Sequence, residues 1–260
     1  MSTNIRQAAE KQDGRALRWV RHREERTRKF VEITCDVVRK YGYQVSMDQI
    51  AEYAKTSKSI LYRYFPDKVS LQYTVGAYIV GDLVEQIKAA MVEESSPEMM
   101  IKSAIDVYLD FMIRDLDLYI FVRIGDLEGE PGTSKLLNFD EVFLATAVGT
   151  AVDDQLDHVH GSRLGANVPE GAGKINFGAG EEGDRMQKLV RSHIGSVALV
   201  SVIRAVAESW LFSKRILDRP QDYPGFELDE ADRLVAQMSR DEIKDYIYAC
   251  VDGGLLGNFR

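Results

Sequence analysis

The 260-residue sequence predicts an all-α fold, and three observations carry that prediction. Apolar side chains recur every three or four residues along most of the chain, the mark of helices that bury one face. Serine, aspartate, glycine and proline stand where those periodic stretches begin and end, as capping requires. No run alternates apolar and polar residues convincingly enough to read as a strand, and no internal repeat is visible.

Taken in order, "ERTRKFVEITCDVVRKYGY" sets Phe30, Ile33, Val37, Val38 and Tyr41 on one face and ends at Gly42, a C-cap. Ser46 then caps "MDQIAEYA", where Met47, Ile50, Ala51 and Ala54 form an apolar face. "SKSILYRYF" is a short third helix that Pro66 ends, because proline lacks an amide hydrogen and disfavours helix in the residue before it. Asp67 caps a long fourth helix that runs to about Glu94. After the break at "SSPE", "MMIKSAIDVYLDFMIRDLDLYIFVRI" reads as one or two helices and "NFDEVFLATAVGTAVDDQLDHV" as another. Residues 161–184 hold seven glycines and little periodicity, and are expected to form a flexible loop. "RMQKLVRSHIGSVALVSVIRAVAESWLFSKRIL" is a long apolar helix, and "SRDEIKDYIYACVDGGLL" is the last, with Ser239 and Glu242 in capping-box positions.

Composition narrows the function classes. With 45% hydrophobic and 28% charged residues the chain can bury a real core. No apolar run approaches the ~18 residues needed to span a bilayer. The start, "MSTNIRQAAEKQDGRALRW", lacks an apolar signal core, so a cytoplasmic protein without a membrane partner is expected. Cys35 and Cys250 lie far apart with no metal-like spacing, which fits a reducing compartment. The net charge of -8 hides an asymmetry. Residues 1–73 hold 15 Lys and Arg against 9 Asp and Glu, a net of +6, and the remainder holds 18 against 32, a net of -14. A basic module that meets a polyanion, joined to an acidic body, accounts for this split; clustering on solvated faces is the plainer alternative.

Residues 46–65 meet the geometry of a helix-turn-helix: a helix, a turn near "AKTS", and a second short helix fit to lie in the major groove. Ser57, Lys58 and Ser59 lead that second helix, while Ile60, Leu61 and Phe65 can turn inward. Tyr62 and Tyr64 can offer hydroxyls to phosphates with their rings packed on the module, and Arg63 lies between them. Lys68 adds a cation in the first turn of the fourth helix, beside amides that suit a phosphate. The basic stretch "RALRWVRHREERTRK" is either an arm, residues 1–23, that enters a minor groove with Arg18, Arg21 and Arg23, or a solvated extension of the first helix.

At these residues the sequence resembles the DNA-binding segment of TetR-type transcriptional regulators. "SMDQIAEYAKTSKSILYRYFPDKVSLQ" is similar to their pattern: a Ser/Thr-capped helix with Ile-Ala, a turn, Ser-x-x-x-Leu/Ile-Tyr-x-His/Tyr-Phe, then x-x-Lys-x-x-Leu. Ser46, Ile50, Ala51, Ser57, Leu61, Tyr62, Tyr64, Phe65, Lys68 and Leu71 match it, and the close likeness covers about residues 26–75. The chain departs from the family's glycine and valine at Lys55 and Thr56. A non-glycine residue in a left-handed turn costs roughly 1 kcal/mol, so the turn is either slightly strained or differently shaped, and Lys55 can add a phosphate contact. Beyond the basic stretch at 1–23, the resemblance implies a helix-turn-helix DNA-binding domain at 24–73 and a ligand-binding and dimerisation domain at 74–260. It further implies a homodimeric repressor on a palindromic double-stranded operator, released by a small-molecule effector.

In the acidic body, Tyr108, Phe111, Met112, Tyr119, Phe121 and Val122 are more large apolar side chains than a thin helix needs, so a cavity is expected there. Arg123 could meet an acidic ligand group, and Phe139, Phe143 and Trp210 could complete the lining, although an aromatic stripe at helical spacing is more often plain core. A fatty acyl chain or acyl-CoA suits such a lining, as does a steroid or drug-like molecule. The 189–215 helix has apolar side chains on more than one face and, with the 240–258 helix, makes either a four-helix dimer interface or plain core. Enzyme chemistry has little to stand on. In "GAGKINFGAG", Gly173-Lys174 is followed by Ile175 rather than Ser or Thr, so a phosphate loop is not formed. His158 and His160, near Asp153, Asp154 and Asp157, could hold a metal but read better as a solvated helix end. The expectation is a regulator with no cofactor and no catalytic residues; a small-molecule-binding helical enzyme or scaffold without DNA binding is the alternative.

Overall fold

The computed structural model describes residues 2–94, 96–124, 152 and 180–254, and among these there is no strand. Helix α1 spans Ser2–Tyr41, α2 Met47–Tyr53, α3 Lys58–Tyr64, and α4 Lys68–Val92. After them come α5, Pro97–Arg114, and α6, Leu116–Ile124. The chain resumes with α7, Glu181–Asp218, a 3-10 turn at Pro220–Asp222, α8, Glu230–Gln237, and α9, Arg240–Gly254.

Two units emerge. The first holds residues up to Tyr78 together with α6 from Asp117 onward; the second holds Ile79–Leu116 and α7 to α9. The boundary expected at residue 73 therefore falls further along α4, and α6 returns to the first unit. The reason is local packing: Leu71 and Val75 of α4 are buried, and buried Gln72 donates from Nε2 to the Phe121 carbonyl of α6 at 2.7 Å.

In the first unit, α1 is one helix from Ser2, so the backbone of 2–23 extends the first helix. Only Gly14 and no proline interrupts that stretch. Gly42 ends it at φ 86°, donating to the Val38 carbonyl at 2.8 Å. Phe30, Val31, Cys35, Val37 and Val38 are buried, whereas Ile33 is half-buried and Tyr41 is exposed, a shift of the buried stripe from the expected one. Thr34 fits inside that stripe because its hydroxyl donates to the Phe30 carbonyl at 2.7 Å. Ile50, Leu61, Phe65 and Leu71 close the core from α2, α3 and α4.

In the second unit, α5, α7 and α9 pack together and α8 lies on α7. Met100, Ile105 and Leu109 of α5, Leu199, Ile203 and Ala207 of α7, and Ile243, Ile247 and Val251 of α9 are all buried. Ser96 and Pro97 start α5, Ser96 accepting from the Met99 amide at 3.2 Å. Ser239 and Glu242 form the expected reciprocal cap of α9, with bonds of 2.8 and 3.3 Å. Arg240 then bridges Asp106 at 2.9 Å and Asp110 at 2.8 Å, and Lys244 also pairs with Asp106.

Three expectations change here. Helix α7 begins at Glu181, so 181–184 is its first turn, where Glu181, Glu182 and Asp184 suit the positive end of the helix dipole; the rest of the expected loop lies outside the described residues. Helix α8 was not foreseen between residues 218 and 238, although Asp229 caps it by accepting from the Asp232 amide at 2.8 Å. Finally, His193–Asp218 of α7 is long and apolar enough to cross a membrane by composition, with a mean hydropathy of 1.5, contrary to the reading that no run approaches that length. Leu199, Val200, Trp210 and Leu211 within it are buried in the unit, as in a core helix.

Candidate nucleic-acid interface

The interface is built on two short helices whose ends are fixed by side chains. Ser46 starts α2 with a complete capping box: its hydroxyl accepts from the Gln49 amide at 3.2 Å, and the Gln49 side chain accepts from the Ser46 amide at 2.8 Å. Met47, Ile50 and Ala51 bury the inner face. The helix closes in a Schellman arrangement, with the Lys55 amide donating to the Glu52 carbonyl at 2.9 Å and the Thr56 amide to the Ala51 carbonyl at 3.0 Å. That closure requires a left-handed residue, and Lys55 takes it at φ 50°. Of the two readings of the turn, the structure has the strained one: the usual shape, held by a residue with a β-carbon.

Ser57 starts α3 by accepting from the Ile60 amide at 3.4 Å, and Phe65 closes it, donating from its amide to the Leu61 carbonyl at 3.0 Å. Leu61 and Phe65 are buried as expected, but Ile60 is only half-buried, since it lies at the edge of the inner face. Lys55, Ser57, Lys58, Ser59, Tyr62 and Arg63 are exposed, and Thr56 and Tyr64 are half-buried. The two tyrosines thus differ. Tyr62 stands outward, whereas the Tyr64 ring packs on Phe30 with centroids 5.2 Å apart.

Lys58 is held within the module. Its ammonium is 2.7 Å from the Asp48 carboxylate and 5.7 Å from the Tyr62 ring centroid, and the hydrogen bond to Asp48 raises its pKa. The pair is exposed, so water or a DNA edge can exchange for it at little cost. Asp67 caps α4 by accepting from the Ser70 amide at 2.6 Å, and hydrogen bonding with the Ser70 side chain, then with its amide, lowers the carboxyl pKa. Lys68, in the first turn, lies 5.8 Å from the Phe121 ring centroid.

The residues expected to line a ligand cavity are divided between the two units. Tyr108, Phe111 and Met112 sit buried on α5 and Trp210 on α7, all in the second unit. Trp210 donates from its indole to the Met238 carbonyl at 3.0 Å. Asp115 ends α5, so Tyr119, Phe121 and Arg123 fall on α6, which belongs to the first unit. There Phe121 is part of the core beneath α4, and Arg123 lies 5.8 Å from the Tyr119 ring centroid. Phe139, Phe143, His158 and His160 lie outside the described residues. Among the described residues no three His, Cys, Asp or Glu side chains cluster to hold a metal.

Sequence reasoning passed over Asp48 as the partner of Lys58, and over the ring contacts of Arg23 and Arg26. A signal existed for the second pair: Trp19, Arg23, Arg26 and Phe30 are spaced at four, three and four residues, one face of a helix.

Comparison with known proteins addresses the same segment. Residues 32–71, from the second half of α1 to the first turn of α4, match the model of bacterial regulatory proteins of the tetR family. Two curated relatives are an uncharacterized HTH-type transcriptional regulator MT0489 and an uncharacterized HTH-type transcriptional regulator Rv0472c, from the CDC 1551 / Oshkosh and H37Rv strains of Mycobacterium tuberculosis. Each is 32% identical over 123 residues, or 47% of this chain and 53% of the relative. A third, the HTH-type transcriptional activator FasR of Mycolicibacterium smegmatis, is 28% identical over 110 residues, 42% of this chain and 50% of its own. The matched part of the chain spans about half the length of these relatives. Capped helices, a left-handed turn and a cation-bearing α3 thus fall in and around residues 32–71, the segment that is similar to bacterial regulatory proteins of the tetR family.

Proposed function

We propose that the protein is a homodimeric, sequence-specific DNA-binding regulator that represses from a palindromic operator and is released by a small apolar effector. The observation that carries the DNA-binding part is the exposed face of α3, with Lys58, Ser59, Tyr62 and Arg63 displayed by a turn that Lys55 closes. A two-fold dimer sets two such helices about one DNA turn, ~34–36 Å, or a multiple apart. Support for dimerisation comes from α9, where Ile243, Ile247 and Val251 are buried while Tyr246, Ala249 and Cys250 stay exposed, and from exposed Ile194 on α7. An effector in the second unit would engage Tyr108, Phe111, Met112 or Trp210. It would act through α4, the helix shared by both units, by binding the two conformations unequally.

Activation is a second reading, favoured by one observation: the Mycolicibacterium smegmatis relative is named an activator. Gel shifts over a random-sequence pool, in rising salt, test the central reading. A single enriched palindrome bound as a dimer, with affinity falling steeply with salt, is the expected result. Absence of any DNA binding would leave the alternative of a helical enzyme or scaffold. A promoter fusion carrying the enriched site then separates repression from activation.

A further inference from the structure

The N-terminal half of α1 carries side chains that the helix-turn-helix does not use. Phe30 is buried against Tyr64 and Phe65 of the recognition helix, with ring centroids 5.2 and 6.4 Å away. Outward along the same helical face, Arg26 lies 5.8 Å from the Phe30 ring, and Arg23 lies between Trp19 at 5.6 Å and Tyr64 at 6.0 Å. Arg63 of α3 approaches the same Tyr64 ring at 5.7 Å. Between these groups is a recess of about 380 Å³ lined by Trp19, His22, Arg23, Arg63 and Tyr64.

An apolar stripe that was merely core would be covered, yet Trp19 is 63% exposed and both arginines are exposed. Among the described residues no lining side chain is acidic, and Arg23, Arg63 and His22 all offer N–H donors. A guanidinium stacked on rings keeps its planar donor edge directed at an anion, in the fork geometry that suits a phosphate. Arg63 and Tyr64 belong to α3, so the recess is continuous with the face that meets DNA. Arg23 and Arg26 are spread along α1 at ~1.5 Å per residue, a layout that tracks a row of phosphates better than a single ion.

We propose that Trp19, His22, Arg23, Arg63 and Tyr64 seat a backbone phosphate of the bound duplex and extend the DNA contact from α3 onto α1. This rests on the DNA-binding reading above. The contact carries no base readout and adds affinity to any sequence.

The test is a salt titration of binding to a mixed-sequence duplex by the full chain, Arg23→Ala, Arg23→Lys and a charge control, Arg185→Ala on α7, whose partner is Glu182. Alanine is the best helix former, so Arg23→Ala retains its helix, which thermal melting checks. Loss of one phosphate contact flattens the log–log salt slope by about 1. The affinity deficit of Arg23→Ala then shrinks roughly three- to four-fold between about 50 and about 200 mM salt. Arg23→Lys keeps the wild-type slope, and Arg185→Ala does too. A wild-type slope for Arg23→Ala, or equal flattening by Arg185→Ala, overturns the proposal while leaving the DNA-binding reading intact. No salt-dependent binding by the wild type would instead remove the reading on which the proposal rests.

Discussion

The helix-turn-helix and the second helical unit are made from the same kind of element, capped amphipathic helices, yet they hold their functional side chains differently. In the first, α2 and α3 are seven residues each; serine side chains fix both N-terminal ends, a left-handed turn closes α2, and extended Phe65 ends α3. Buried positions alternate closely with exposed ones, so a residue's place in the sequence sets whether it faces the core or the groove. In the second, α5, α7 and α9 are 18, 38 and 15 residues long, and their large apolar residues serve packing whether or not they also meet a ligand. The lesson is that an exposed face carried on short, capped helices is specified residue by residue. An apolar cavity is specified only by how whole helices pack.

The largest effect that sharpens this contrast is a cavity in each unit. Leu61→Ala and Ile105→Ala both remove a fully buried side chain and are each expected to cost about 2–5 kcal/mol in a denaturant melt. Leu61→Ala alone should abolish DNA binding at temperatures where both variants stay folded. Equal loss of binding in Ile105→Ala would break the division into separate roles.

Next comes base readout. Lys58→Ala should shift preference at one base pair by about 1–3 kcal/mol in a binding-site selection. Asp48→Asn should tighten binding to any duplex by freeing that ammonium. Unchanged preference in the first would mean that Lys58 serves Asp48 rather than a base.

A smaller effect belongs to the second unit. Burial pushes the Glu208 carboxyl up to about 7, from an ordinary value of 4.5. The folded state therefore binds more protons than the unfolded one between those pH values, and stability falls as pH rises through that window. Discounted for solvent screening, the loss is about 1–2 kcal/mol. Glu208→Gln should flatten it in melts from acidic to neutral pH, with no change in the salt dependence of DNA binding.

The smallest is at the turn. Lys55→Gly relieves a left-handed residue and should raise stability by less than about 1 kcal/mol, since glycine also loosens the unfolded chain. Gly42→Ala is the opposite case. At φ 86°, with open space where a β-carbon would stand, it costs about 1 kcal/mol from backbone strain alone. A destabilised Lys55→Gly would show that the lysine side chain supports the turn.

Much of the first unit was legible because its signals are local. Ser46, Ser57, Asp67 and Pro66 mark helix ends through bonds spanning three or four residues, and the strain at Lys55 follows from its place in the turn. The buried stripe of α1 was less legible: Thr34 and Cys35 displace Ile33 and Tyr41 because the helix is packed on two sides. The ligand set was least legible. Asp115 interrupts what periodicity alone joins, and the hydrogen bond from Gln72 to the Phe121 carbonyl takes α6 to the other unit.

By itself, then, the sequence determined the helices other than α8, most of their caps, the basic module with its turn, and the family likeness of residues 32–71. These depend on contacts within one or two helical turns and on the side-chain chemistry of single positions. Only the tertiary structure decided that Lys58 meets Asp48, that Tyr64 lies against Phe30 while Arg23 and Arg63 meet its ring, and that Phe121 is core beneath α4. Apart from the contact of Arg63 with its neighbour Tyr64, those pairings join residues 10 to 49 positions apart. No local rule selects among the many faces that such residues could share, and close packing does.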